Sequence, residues 1–160
     1  MRASTTQMMT GVAAGLAAAL VMNLFQDSAS IVLKIGKEKE TAAARAADAV
    51  SSKITGKPIK MARKDKADSV VHYLVGSLAG AVFAVTRRWL PGPSLLKGFE
   101  YGLALWLIAD QTLVPALGLM RKPKRTKAKK RLFGLASHLV FGGILDLVES
   151  RLERFSRYAP

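Results

Sequence analysis

The chain has 160 residues, a length typical of one domain. Half of the residues are hydrophobic, which excludes a disordered basic tail, and the absence of cysteine excludes a disulfide scaffold and a cysteine-ligated zinc or iron–sulfur site. The 25 Lys and Arg and 11 Asp and Glu residues give a net charge of +14, and most of the basic residues lie between long apolar stretches.

Four stretches, in chain order, are apolar enough to cross a bilayer: 11–33, 69–86, 99–120 and 132–148. A transmembrane helix needs about 17–25 mostly apolar residues, and a helix satisfies its own backbone groups in lipid. The stretches therefore predict an all-α fold: a four-transmembrane-helix bundle that forms one integral membrane domain over residues 1–160.

Two alternatives to this architecture are disfavoured. The helices of a soluble four-helix bundle have a polar face, whereas these stretches are apolar on nearly all sides. A cleavable signal peptide would end near the small residues at 27–30, but the apolar run resumes at 31–33 and three more stretches follow.

Two polar connections, 34–68 and 121–131, separate the first stretch from the second and the third from the fourth. The first connection is Ala-rich over 38–54 and then meets a Gly-Lys-Pro breaker, which predicts a short amphipathic helix on the membrane surface or on the bundle. The second has eight basic residues in eleven and no acidic residue, which favours contact with anionic lipid headgroups or an acidic partner. Its basic residues are Arg121, Lys122, Lys124, Arg125, Lys127, Lys129, Lys130 and Arg131.

The charge distribution also predicts an orientation. Both connections must lie on one side of the membrane, and together they hold 18 of the 25 Lys and Arg residues. The positive-inside rule then predicts a multi-pass protein of the bacterial inner membrane with both connections in the cytoplasm and both termini outside. Nucleic acid is the disfavoured partner, because the charge flanks apolar stretches and no nucleic-acid-binding module is recognisable. A second copy or another membrane protein is a further predicted partner.

Polar residues inside the apolar stretches form the candidate buried polar site. Mid-helix Asp costs about 2.5–3.5 kcal/mol on insertion, so Asp110 is expected to face the bundle interior. Carboxylates near imidazoles can pass protons, bind a cation or small polar solute, or act in sensing; equally, such residues can simply bond helices together. The candidates are Asn23, Asp27, His72, Asp110, Gln111, His138 and Asp146.

Small residues recur at four-residue spacing, which places them on one helix face and predicts close helix packing. These residues are Gly11, Gly15, Gly76, Gly80 and Gly142. Residues 15–23 also align with 102–110, which suggests two related helical hairpins.

No catalytic motif is present, so the sequence does not predict an enzyme. No cofactor is predicted either. The alternative is a haem or metal held by His72 and His138, because paired imidazoles ligate haem iron and transition metals.

Three blocks carry a family resemblance: His72 to Gly76 with Gly80, 102–110 running into 114–119, and 136–142. Together they resemble the YagU-like family of small bacterial inner-membrane proteins, over about 70–155. The resemblance implies a four-helix inner-membrane protein in which His72, Asp110, Pro115 and His138 are family-typical, and it implies no catalytic activity. It also implies cytoplasmic termini, opposite to the orientation that the charge distribution predicts.

Overall fold

The structure is a computed structural model that describes residues 5–35, 41–119 and 128–158. Every regular element in these ranges is helical, which confirms the all-α prediction. The elements are α1 (Thr5–Val32), α2 (Ala42–Thr55), α3 (Met61–Thr86) with a 3₁₀ turn (Arg87–Trp89), α4 (Ser94–Ile108), a π-helical turn (Ala109–Leu113), α5 (Val114–Ala116) and α6 (Ala128–Tyr158).

Three helices, not the four predicted, are each long and apolar enough to cross a membrane in the described part of the chain. They cover Thr5–Val32, Ala62–Trp89 and Ala128–Phe155, and each is longer than the corresponding predicted stretch. Most of their large apolar side chains point outward, including Leu20, Leu24 and Leu78. Outward apolar surface on this scale needs a hydrocarbon environment, so these helices indicate a membrane protein.

The third predicted stretch, 99–120, is interrupted and is not among these three helices. Its α-helical part ends at Ile108, and the backbone widens so that the Val114 N–H donates to the Ala109 carbonyl, five residues back. Pro115 explains the widening, because proline lacks an N–H and its ring clashes with the carbonyl four residues earlier in a regular α-helix. The helix then ends at Gly118, which has a left-handed φ of 67°.

Glycines hold the long helices together as two hairpins. In the first hairpin, α1 crosses α3 so closely that a Cβ on Gly15 would lie 2.2 Å from the Gly76 carbonyl oxygen. In the second, α4 crosses α6, and a Cβ on Gly142 would lie 2.0 Å from the Gly98 carbonyl oxygen. All five predicted packing glycines lie at these crossings, and the structure adds Gly98 and Gly102.

Contact between α1 and α6 joins the hairpins around a narrow core of small and aromatic residues. Ala14, Ala18, Phe83 and Leu145 are fully buried there. The Tyr101 hydroxyl donates to the Ala79 carbonyl across the core at 2.7 Å, which links the second hairpin to the first.

The helix predicted in the first connection is α2. Its first turn is capped by Thr41, whose hydroxyl accepts the Ala44 N–H at 3.1 Å, and it ends at Gly56 with φ 71°. Asp48 fastens it to the start of α3 by accepting the Ile59 N–H at 2.6 Å and pairing with Lys64 at 3.2 Å.

Of the eight basic residues predicted to face lipid in the second connection, five lie outside the described residues. These are Arg121, Lys122, Lys124, Arg125 and Lys127. The other three, Lys129, Lys130 and Arg131, belong to the first turn of α6.

Candidate functional site

Polar side chains gather at two levels of the bundle. The loop-side end is where α1 finishes and α6 begins, and there the Lys129 ammonium donates to the Leu33 carbonyl. The terminal-side end is where α3 finishes and α4 begins. We call the group of Asp110, His138 and His72 the loop-side site, and the ion-paired group around Arg87 the terminal-side network.

The loop-side site is built by the π-helical turn of the α4 segment and by α6. The turn carries Asp110, whose Oδ2 lies 3.9 Å from Nδ1 of His138. The same nitrogen lies 2.9 Å from the Gly134 carbonyl, which can only accept, so Nδ1 carries the proton of the neutral ring. His138 is nearly enclosed, with 12% of its side chain exposed, whereas 40% of the Asp110 side chain is accessible.

Gly134 on α6 lies beside this pair. A Cβ at this position would lie 3.4 Å from both Oδ2 of Asp110 and Nε1 of Trp106, which is ordinary van der Waals contact. The carboxylate and the indole therefore both lie against α6 at this level, and Trp106 is part of the surroundings of the site.

His72 completes the site from α3. Its Nε2 is buried and has no hydrogen-bond partner among the described residues. The ring lies edge-on to Tyr73 at 5.9 Å, and one helix turn further along α3 a Cβ on Gly76 would lie 3.6 Å from the ring of Phe141 on α6. The Tyr73 hydroxyl accepts the Asn23 amide at 3.2 Å, which ties α1 to the same level of the bundle.

The other candidate residues lie elsewhere. Asp27 and Gln111 are exposed on the outside of the bundle. Asp146 follows His138 by eight residues on α6, which is about 12 Å along the helix axis, and it belongs to the terminal-side network. The structure therefore brings together Asn23, His72, Asp110 and His138, and separates the remaining three from them.

Arg87 organises the terminal-side network. Its Nε pairs with Oδ1 of Asp146 at 2.8 Å, and one terminal nitrogen pairs with Glu153 at 3.1 Å. The other terminal nitrogen donates to the hydroxyls of Ser94 at 3.0 Å and Ser150 at 2.6 Å. Asp146 is only 1% exposed, so the arginine supplies the charge that this buried carboxylate needs.

Glu149 lies one helix turn beyond Asp146 and faces α1. Its Oε1 accepts the Thr10 hydroxyl at 3.1 Å, while Oε2 is buried with no hydrogen-bond partner among the described residues. Beside it, the Gln7 amide donates to the Ala84 carbonyl at 2.6 Å. These contacts join the start of α1 to α3 and α6.

Sequence reasoning missed most of the terminal-side network. Arg87 and Ser94 stand in a short turn region, and the predicted fourth stretch ended before Glu149. One signal was available: Asp146, Glu149 and Glu153 follow one another at intervals of three and four residues, which is the spacing of one helix face.

The described residues contain no group of three or more His, Asp or Glu side chains that could hold a metal ion. Within the loop-side site, Nδ1 of His138 is engaged with Gly134, which leaves only its Nε2 for a ligand. The chemistry that this arrangement offers without a cofactor is the exchange of protons between one carboxylate and two imidazoles.

Comparison of the chain with protein-family models, curated proteins and solved structures finds no match. The resemblance to the YagU-like family accordingly stays a prediction.

Proposed function

We propose that the chain crosses the membrane four times, with the segment 94–116 as the additional crossing. The path of the chain supports this proposal. The helix α3 ends at the terminal side, and α6 begins at the loop side, where Lys129 contacts Leu33. The chain between them must therefore return across the bundle, and α4 packs along α6 over this distance.

The proposed orientation is the one that the charges predict, with both polar connections in the cytoplasm of a bacterial cell and the bilayer being the inner membrane. The described part of the loop-side end supports this choice, because the start of α3 and the start of α6 are both rich in Lys and Arg.

We further propose that the loop-side site takes up and releases protons, in the transport of a small polar solute or in sensing. The observation that carries the proposal is the π-helical turn, from which Oδ2 of Asp110 lies 3.9 Å from Nδ1 of the nearly enclosed His138. A π-helical turn interrupts the regular α-helix, and such turns are frequent at functional sites. Ionisable side chains are energetically unfavourable inside a membrane, so those that are present are functional-site candidates.

The pair can hold its proton in two ways at low electrostatic cost. With the proton on the carboxyl both groups are neutral. Because Nδ1 of His138 already carries a proton, the second proton of the imidazolium lies on Nε2, and in that form the two groups are an ion pair. His72, whose Nε2 has no partner in the described part of the chain, is the other imidazole at this level that can accept a proton. A proton can then enter or leave the pair through the accessible side of Asp110.

The two histidines of the chain allow a direct test of the site by ¹⁵N NMR of the protein in lipid nanodiscs. We expect Asp110→Asn to change the ring ¹⁵N signals of His138 at neutral pH, because Oδ2 of Asp110 lies 3.9 Å from Nδ1 of His138. Asp27→Asn removes an exposed carboxylate away from the site and should leave these signals in place. Identical His138 signals in the wild type and Asp110→Asn would contradict the proposed site.

The function itself is tested by proton flux into proteoliposomes under an imposed potential. A proton-transfer group contributes about 10²–10⁴-fold to rate, so Asp110→Asn and His138→Gln should each lower flux on the order of 10²-fold. The Asp27→Asn protein is the matched control. If all variants conduct like the wild type, or if the wild type conducts no better than empty liposomes, proton transfer across the membrane is excluded.

The second candidate function is that of a structural or interaction protein whose polar residues only hold helices together. The terminal-side network favours this role for its own residues, since all three side-chain nitrogens of Arg87 bond to residues of α4 or α6. For the loop-side site, the two candidate functions predict different effects of Asp110→Asn. Under a structural role, Asp110→Asn lowers the thermal midpoint, whereas under proton transfer it lowers flux in a protein that keeps its thermal midpoint.

A further inference from the structure

A basic pocket lies between the end of α2 and the first turns of α3, outside the loop-side site. Its volume is about 540 Å³. Four basic residues line it: Lys57, Lys60, Arg63 and Lys66. Ile59 and Val70 form part of its apolar wall, together with small alanines of α3.

No acidic side chain lines this pocket. In the described part of the chain the four basic side chains make no ion pair. Asp65 is not among the residues that line the pocket, and two other acidic residues close by are engaged at the α2–α3 joint. Asp48 pairs with Lys64, and Asp68 accepts the Thr41 hydroxyl. Four uncompensated positive charges around one cavity favour an anion.

The residues around the pocket indicate which class of anion it fits. The apolar part of α3 begins next to the pocket, since the charged residues of this helix end at Asp68 and the apolar stretch 69–86 follows. Below the pocket, Val70, Leu74 and Leu78 are more than half exposed and follow one another at four-residue spacing, so they form a continuous apolar stripe. A basic cavity that continues into an exposed apolar stripe matches a molecule with an anionic head and a hydrocarbon chain.

We propose that this pocket binds the phosphate headgroup of an anionic membrane phospholipid, whose acyl chain lies along Val70, Leu74 and Leu78. Lys60 and Arg63 contact the phosphate oxygens, with Arg63 able to do so through two parallel hydrogen bonds. The pocket lies on the first polar connection, so the site is separate from the basic residues at 121–131. It also does not depend on proton transfer at Asp110.

Native mass spectrometry of the full-length protein in nonionic detergent, titrated with phosphatidylglycerol or phosphatidylcholine, tests the proposal. Each basic residue near a membrane surface contributes about fivefold to anionic lipid binding. We therefore expect Lys60→Gln/Arg63→Gln to bind phosphatidylglycerol roughly 30-fold more weakly than the wild type. Lys34→Gln/Lys53→Gln removes the same charge at the same end outside the pocket and should bind like the wild type. Equal affinities for the two lipids, or an equal loss in both double variants, would overturn the site.

A second arm separates lipid from soluble phosphate. Leu74→Gln, which changes only the apolar stripe, should weaken binding of phosphatidylglycerol and leave the response to glycerol phosphate unchanged. If glycerol phosphate or inorganic phosphate binds the wild type as tightly as phosphatidylglycerol does, the ligand is a soluble phosphate and the lipid proposal is wrong. Lys60→Arg keeps the charge and the donors at this position and should retain most of the affinity for phosphatidylglycerol.

Discussion

At the terminal-side end, the guanidinium of Arg87 contacts two carboxylates and two hydroxyls that come from α4 and α6. Removal of one partner from a buried ion pair costs about 3–5 kcal/mol, because the other charge stays buried and unpaired. We expect Arg87→Ala to lower the free energy of unfolding by about this amount, measured by circular dichroism in mixed micelles of increasing SDS content.

The neighbouring Arg88 is the control for this prediction. Its guanidinium lies over the ring of Trp89 at 4.6 Å and is exposed, so Arg88→Ala should lower the free energy of unfolding by less than about 1 kcal/mol. Similar losses in the two variants would contradict the role given to Arg87.

Also at the residue scale, the carboxylate of Asp48 makes the docking of α2 dependent on pH. The Ile59 N–H, and then Lys64, hold the pKa of Asp48 below its ordinary value, because both favour the charged form. A lowered pKa in the folded state stabilises the fold above the unfolded-state pKa of about 3.9, and this stabilisation is lost as the pH falls through the folded-state pKa. The protection of the α2 amides, relative to the exchange rate of an unfolded peptide at the same pH, should therefore fall below about pH 4 in the wild type. In Asp48→Asn this protection should be low already at neutral pH and change little with acid; a pH profile like that of the wild type in this variant would contradict the role of Asp48.

At the scale of the elements, the glycine crossings determine how closely the helices of each hairpin approach. A Cβ at Gly142 or Gly15 would meet a backbone carbonyl at 2.0 or 2.2 Å, and a carbonyl within a helix cannot move aside as a side chain can. Gly142→Ala and Gly15→Ala should each destabilise the protein by about 1–3 kcal/mol in the same SDS unfolding measurement. Gly134→Ala is the matched control, since its Cβ would have ordinary contacts at 3.4 Å. An equal loss of stability in this control would contradict the claim that close backbone approach at the crossings requires glycine.

The π-helical turn shows where sequence reasoning reaches its limit at this scale. The hydropathy of 99–120 predicts an apolar helix, and the cost of Asp110 predicts that its carboxylate turns inward. Widening the helix by one residue leaves the hydropathy pattern almost unchanged, so the pattern does not reveal that the α-helix ends at Ile108. Pro115 was the visible signal. The pairing of His138 with Asp110 likewise depends on which helices are neighbours, and this follows from the glycine crossings rather than from the residues of the site.

At the scale of the whole molecule, composition and periodicity predicted the all-helical fold, the position of α2 and three of the long helices. They could do so because an apolar segment in lipid must satisfy its own backbone hydrogen bonds and therefore forms a helix. The terminal-side network did not, because Arg87 and Asp146 are 59 residues apart and meet only in the assembled bundle. Their separation in sequence also explains why Asp146 was grouped with the loop-side residues. Spacing along one helix gives the face of a residue, but not the level at which its partners lie.

The central claim is that the chain crosses the bilayer four times, and impermeant maleimide labelling of single-cysteine variants in sealed vesicles of known orientation tests it most directly. The wild type has no cysteine, so each variant reports on one position only. We expect Lys53→Cys and Lys124→Cys to react from one side of the membrane and Pro91→Cys to react from the other. Reaction of Pro91→Cys and Lys124→Cys from the same side would contradict the crossing of the segment 94–116.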